Sequence, residues 1–227
     1  VGPFTFNGVR FALGSLSLVP LLLFVPRREH PSRRWLAPTR PGILAWGGGL
    51  AGLCLFAGAS LQQVGLVYTT AGNAGFITGL YVVLVPILGL LVRQRTHPGA
   101  WLGAGLAAVG LYFLSVTEDF RIARGDFLVL VGAVFWAAHV LIIGWLSPRV
   151  EALKLAILQF AACALLSLAT AAAVETITLE GLRLALVPIL YGGLCSVGIA
   201  YTLQVVAQKD AHPAHAAWWR RMSPRWR

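Results

Sequence analysis

The feature that most restricts this chain is a series of long apolar runs with almost no charge inside them. Seven stretches, near 4–25, 42–65, 71–92, 98–116, 127–146, 153–174 and 184–206, approach or exceed the 20 or so largely apolar residues that a membrane-crossing helix needs. Five of them contain no Asp, Glu, Lys or Arg. The first carries Arg10, and the sixth carries Lys154 at its very end, where a long side chain can snorkel to the interface. Hydrocarbon offers no partner to a backbone N–H or C=O, so runs of this kind satisfy their own backbone as helices. The composition agrees: 58% of the 227 residues are hydrophobic and 11% are charged, against about 45–50% and about 25% in soluble domains. A secreted disulfide scaffold, a disordered chain and an ordinary soluble enzyme are thereby excluded. The expected fold class is an all-α polytopic membrane helix bundle.

The net charge of +10 would suggest nucleic acid on a soluble chain. Here the basic residues sit between the apolar runs, which points to cytoplasmic loops and anionic headgroups instead. No nucleic-acid partner is expected. If successive connections alternate sides, one side collects Arg27, Arg28, Arg33, Arg34, Arg40, Arg93 and Arg95, then Arg149, Lys209, Arg220, Arg221, Arg225 and Arg227. The other side collects Arg121, Arg124 and Arg183. Short loops rich in Lys and Arg stay cytoplasmic, so loop 26–41 and the C-terminal tail are expected inside and Val1 outside. A wrong span count would have scrambled this asymmetry.

Helix-packing signals accompany the runs. Gly48 and Gly52, Gly75 and Gly79, and Gly99 and Gly103 are each four apart, a spacing that lets backbones approach closely in lipid. Pro20, Pro86 and Pro188 fall inside spans, and each frees a carbonyl that a neighbour or water must satisfy. Cys54, Cys163 and Cys195 lie inside apolar runs without a CxxC pair or a His cluster, so they read as small packing residues, and no metal is expected.

The chain is also similar to itself. Gly52-Leu53-Cys54 recurs as Gly193-Leu194-Cys195, and Gln63-Val64 as Gln204-Val205, both at an offset of 141. Phe11-Ala12 recurs as Phe160-Ala161 at an offset of 149. These matches pair span one with span six and span two with span seven. Equivalent spans are five apart, an odd number, so the two copies are expected in opposite orientation, an arrangement typical of transporters.

Several segments carry a family resemblance. They are Pro3-Phe4 with Arg10, the segment from Leu61 through Gln62-Gln63-Val64-Gly65 to Tyr68-Thr69-Thr70, then Ala71-Gly72-Asn73-Ala74-Gly75-Phe76-Ile77-Thr78, Val85-Pro86, Gly125-Asp126 and Phe135-Trp136-Ala137. In these the chain resembles EamA-type members of the drug/metabolite transporter superfamily. The resemblance implies ten helices in two five-helix inverted repeats. On that reading 1–116 is a first repeat lacking its first helix, and 125–217 a second repeat lacking its last two. The start at Val1 fits the first expectation. Segment 218–227, with Trp218, Trp219 and Trp226 among four arginines, reads either as an interfacial anchor or as the product of a frameshift.

No HExxH, GxSxG, P-loop or strand-linked GxGxxG occurs, so no enzyme activity and no cofactor are expected. The candidate substrate-binding residues are polar or aromatic groups in the spans, each of which must find a partner or line a wet path. They are Asn7, Arg10, Gln63, Tyr68, Asn73, Tyr81, Trp136, His139, Tyr201 and Gln204. For each, the alternative is a bond that only joins helices. Arg10 is expected either near the outer interface or facing the bundle interior. His139 reads as a hydrogen-bonded structural residue or as a proton relay.

The expected function is secondary transport, as an exporter in the inner (plasma) membrane, of a small metabolite or drug-like solute. Solute and membrane lipid are the expected partners, and a homodimer stays open. One alternative is a seven-helix receptor or sensor, against which span seven lacks the lysine a retinal protein needs. The other is a truncated chain that does not transport.

Overall fold

A computed structural model of the chain describes residues 1–24, 41–91, 98–115 and 123–208, and the regular structure among them is helical. The long helices follow the apolar runs: α1 (Pro3–Phe24), α2 (Pro41–Gly65), α3 (Ala71–Leu91), α4 (Pro98–Ser115), α5 (Arg124–Leu146), α6 (Ala152–Val174) and α7 (Leu186–Gln208). Six of these, all but α4, are long and apolar enough to cross a membrane. The basic residues of loop 26–40, Arg93, Arg95, Arg121 and the tail from Lys209, including 218–227, lie outside the described residues.

Helix ends are set by local chemistry. Pro3 opens α1, where a missing N–H costs nothing. The first turn of α1 is capped from a distance by Glu175, the residue that follows α6. The Phe4 N–H donates to its Oε1 at 2.8 Å, and the Thr5 N–H and hydroxyl donate to its Oε2 at 2.8 and 2.6 Å. Burial opposes charge on this carboxyl, but those hydrogen bonds outweigh it and hold the group below its usual range. Gly2 makes the approach possible, since a Cβ there would lie 2.2 Å from the Glu175 carboxyl carbon. The short α2–α3 turn is tied down by the Thr69 hydroxyl, which donates to Asp126 Oδ1 at 2.5 Å.

Two helices depart from regular geometry. α3 tightens at Leu80, between its halves Ala71–Gly79 and Tyr81–Leu91, where the Leu80 N–H bonds the Ile77 carbonyl and the Val83 N–H bonds the Leu80 carbonyl. α7 begins as α-helix and is wound as π-helix over Tyr191–Tyr201 before returning to α. A π stretch of that length is unusual, because such winding is mostly confined to single-turn bulges.

Glycine sets how closely the helices approach. α2 and α5 run antiparallel, with Gly47 on Leu146, Gly58 on the Gly132 carbonyl and Gly65 on the Gly125 carbonyl. α1 and α6 are also antiparallel: Thr5 meets Glu175, Gly8 meets Leu168, and the Ser15 hydroxyl donates to the Ile157 carbonyl at 3.0 Å. α2 runs parallel to α6, with Gly48 on Leu158 and Gly52 on Ala162, and α1 parallel to α7, with Leu13 on Gly193 and Ser17 on Gly198.

These directions bear on α4. Ala74 and Ile77, early in α3, cluster with Val129, early in α5. Tyr81, further along α3, packs on the cluster that holds Trp136 of α5. α3 and α5 are therefore parallel, and the chain between them must travel back the length of a span. α4 makes that return with 18 residues, about 27 Å at ~1.5 Å per residue. Its Gly110, late in α4, lies against Phe76, early in α3.

Candidate functional site

Aromatic side chains from several helices meet at the centre of the bundle. Trp136 of α5 stands edge-on to Tyr201 of α7, with ring centroids 5.6 Å apart, and to His139 one turn along its own helix at 6.0 Å. Tyr201 also lies 6.4 Å from Phe11 of α1 and 6.4 Å from Phe160 of α6, and those two rings are 6.2 Å apart. Tyr81 of α3 packs on the same cluster. Space for the indole comes from Gly58, where a Cβ would sit 3.2 Å from Trp136 Cδ1. The edge-to-face arrangements are those the ring quadrupoles favour.

Polar groups surround these rings. His139 Nε2 and Gln159 Oε1 of α6 are 2.7 Å apart and buried. Among the described residues, Trp136 Nε1, His139 Nδ1, Gln159 Nε2, Arg10 Nε and both amide atoms of Asn7 are buried without a hydrogen-bond partner. Arg10 faces the bundle rather than the outer interface. It lies about 11 Å along α1 from Pro3, its guanidinium carbon is 5.3 Å from the Phe6 ring centre and 5.1 Å from that of Phe11, and its electrostatic neighbours are Tyr201 and Cys163. Gly192 leaves room for it, since a Cβ there would stand 3.4 Å from Arg10 Cδ.

The sequence candidates divide into two groups. Arg10, Tyr81, Trp136, His139 and Tyr201 come together at the centre, and Asn7 lies fully buried on the Arg10 face of α1, one turn away. Gln204 is half-buried, one turn beyond Tyr201. The others lie at the α2–α3 turn. Tyr68 is 61% exposed there, Asn73 gives its N–H to the Thr70 hydroxyl at 3.2 Å, and Gln63 is half-buried near the end of α2. The glutamine that joins α2 to α3 is Gln62, whose amide donates to Thr78 Oγ1 at 2.7 Å.

Gln159 is the central residue that sequence reasoning passes over. It looks like one more polar residue in an apolar run, but the offset of 149 that pairs Phe11 with Phe160 also carries Arg10 onto Gln159. Chemically, the assembly offers ring faces and edges, one cation and several amide or indole donors.

Comparison with known proteins follows the same lines. The profile of the EamA-like transporter family matches residues 1–116 and again residues 123–225. A protein from Archaeoglobus fulgidus named only as an uncharacterized transporter is 38% identical over 168 residues, covering 74% of this chain and 48% of that protein. The chain thus spans about half the length of the curated relative it matches. A solved crystal structure superposes with a TM-score of 0.60 over 92% of this chain and 70% of the other, at 22% identity, a likeness of fold.

Proposed function

The chain belongs to the EamA-like transporter family, and from that premise we propose that it carries a small metabolite or drug-like solute across the inner membrane by alternating access, as an exporter and without chemical conversion. Loop 26–41 and the C-terminal tail face the cytoplasm in this reading, because most of the basic residues sort to that side.

One observation carries the proposal: the two halves make the same contact twice. A Cβ at Gly52 would meet Ala162 and the Gln159 carbonyl, while a Cβ at Gly193 would meet Leu13 and the Arg10 carbonyl. The offset of 141 carries Gly52 onto Gly193, and the offset of 149 carries Arg10 and Leu13 onto Gln159 and Ala162. The equivalent helices α1 and α6 are antiparallel, as inverted repeats require. Phe11 and Phe160, equivalent residues, face each other where the halves meet. In inverted-repeat transporters the solute sits at that junction near the midplane, and the halves rock about it. Buried unpaired polar atoms are expensive in a membrane, and a solute bound among Trp136, Tyr201 and Asn7 would supply their partners.

The test is counterflow into proteoliposomes containing the purified protein, with a panel of organic solutes and dyes and with Trp136→Ala as control. Accumulation of a panel member that Trp136→Ala reduces at least about tenfold supports the reading. No movement of any member, or movement indifferent to Trp136, overturns it.

A further inference from the structure

We propose that the solute is an organic monoanion, a single carboxylate on a flat apolar body, and that Arg10 is the residue that reads its charge. This rests on the reading of the aromatic cluster as the solute site. A charge placed within a membrane bundle is paired or faces a pathway. Arg10 lies within its bundle, about 5 Å from the middle of α1, and its Nε is buried without a partner. Its guanidinium is flanked by the Phe6 and Phe11 rings, which attract a cation but accept no in-plane hydrogen bond from it.

The acidic residues explain why the missing partner is an anion brought from outside. Four lie among the described residues, all at helix ends, and three are engaged. Asp126 accepts from Thr69, Glu151 pairs with Lys154 at 2.7 Å, and Glu175 caps α1. Glu180 is exposed in the short helix Leu179–Leu184. None of these four is at the centre, so among the described residues a cationic solute would meet one arginine and no carboxylate there.

The two halves sharpen this. Gln159, the position equivalent to Arg10, is neutral and bonds to His139 within the bundle. The charged copy has no such bond, although the Trp136 indole N–H at the centre and the Asn7 amide, one turn from Arg10 on α1, are also unpartnered. A guanidinium presents a planar fork that matches a carboxylate, and the Trp136, Tyr201 and Phe11 rings offer faces and edges to the apolar body.

Three probes of one shape separate the possibilities: indole-3-acetate, indole-3-acetamide and tryptamine, which are anionic, neutral and cationic. Binding to the purified protein in phosphatidylcholine nanodiscs is expected to favour the acetate over the acetamide by about tenfold or more, as charge-assisted hydrogen bonds allow, with tryptamine weakest. Arg10→Gln should abolish the preference while keeping acetamide binding, and Arg10→Lys, which keeps the charge but loses the fork, should retain a reduced one. Retention by Arg10→Lys separates loss of recognition from loss of folding.

Equal binding of acetate and acetamide by the wild-type protein, or a preference that survives Arg10→Gln, overturns the proposal. A lipid phosphate is the other source of anionic chemistry. If phosphatidylglycerol in the nanodiscs eliminates the acetate preference, the site belongs to lipid and the proposal falls. Acetate binding without counterflow would refute transport and leave the site standing. Counterflow of the acetate with no dependence on Arg10 would refute the site and leave transport standing.

Discussion

Substitution at Gly125 tests whether glycine contacts set the α2–α5 interface. A Cβ at Gly125 would meet the Gly65 carbonyl oxygen at 2.6 Å, the Tyr68 carbonyl carbon at 2.8 Å and the Thr69 nitrogen at 2.9 Å. All three are backbone atoms, so no side chain can turn away. The first contact is about 0.8 Å short of ordinary contact, and Gly125→Ala should therefore part α2 from α5 by about that much near the α2–α3 turn. A gap of that size forfeits a quarter to a half of each neighbouring contact, themselves worth ~0.1–0.2 kcal/mol. Over a few tens of atom pairs the loss reaches about 1–3 kcal/mol, the range measured for overpacked cores.

Gly144 is the control on the same helix, since a Cβ there would meet nothing within 4 Å. Gly144→Ala should be neutral or slightly stabilising, because alanine favours helix over glycine. Equilibrium unfolding of both variants in bicelles by steric trapping gives the comparison. If Gly125→Ala matches the wild type within about 0.5 kcal/mol, or if Gly144→Ala is destabilised as much, the account of the interface is wrong.

Other substitutions test the remaining contacts. Glu175→Gln removes the charge that caps α1 and should cost about 0.5–2 kcal/mol at neutral pH. Because folding lowers the carboxyl pKa, the stabilisation is present above the unfolded-state value and is lost as pH falls through the folded one. The stability gap between wild type and Glu175→Gln should accordingly narrow as pH is lowered past the unfolded-state value, and a gap that does not narrow on acidification would contradict the cap. A double-mutant cycle of His139→Leu and Gln159→Leu should give a coupling of about 0.6–1.7 kcal/mol, and additive effects would deny the bond seen between them. Gln62→Leu should destabilise the α2–α3 contact by about 0.5–1.5 kcal/mol where Gln63→Leu does less, and the reverse order would refute the pairing of Gln62 with Thr78.

The positions of the helices were legible because a run such as 127–146, uncharged and long enough to cross a bilayer, has one way to satisfy its backbone there. The paired glycine contacts were legible for a different reason. Close helix contacts demand glycine, so the pair Gly52 and Gly193 leaves a mark at a constant offset. The offset of 149 also held information about the site, since it singles out Gln159, but a glutamine among apolar residues carries no signal until its partner His139 is known. Glu175 was equally hidden, because its role depends on a helix that begins at Pro3.

What the sequence by itself determined, then, is the helical class and where the apolar helices run, both consequences of backbone chemistry in hydrocarbon. Which residues face inward was decided only by the tertiary structure. These helices are apolar on every side, so Leu16, 66% exposed, and the buried Leu18 carry the same chemistry two residues apart on α1. Without a polar face, nothing in the pattern tells lipid from core. Rotation and crossing of the helices brought Trp136, Tyr201 and Arg10 to the centre, left Tyr68 at an exposed turn, and gave the α3 contact to Gln62 rather than to its neighbour Gln63.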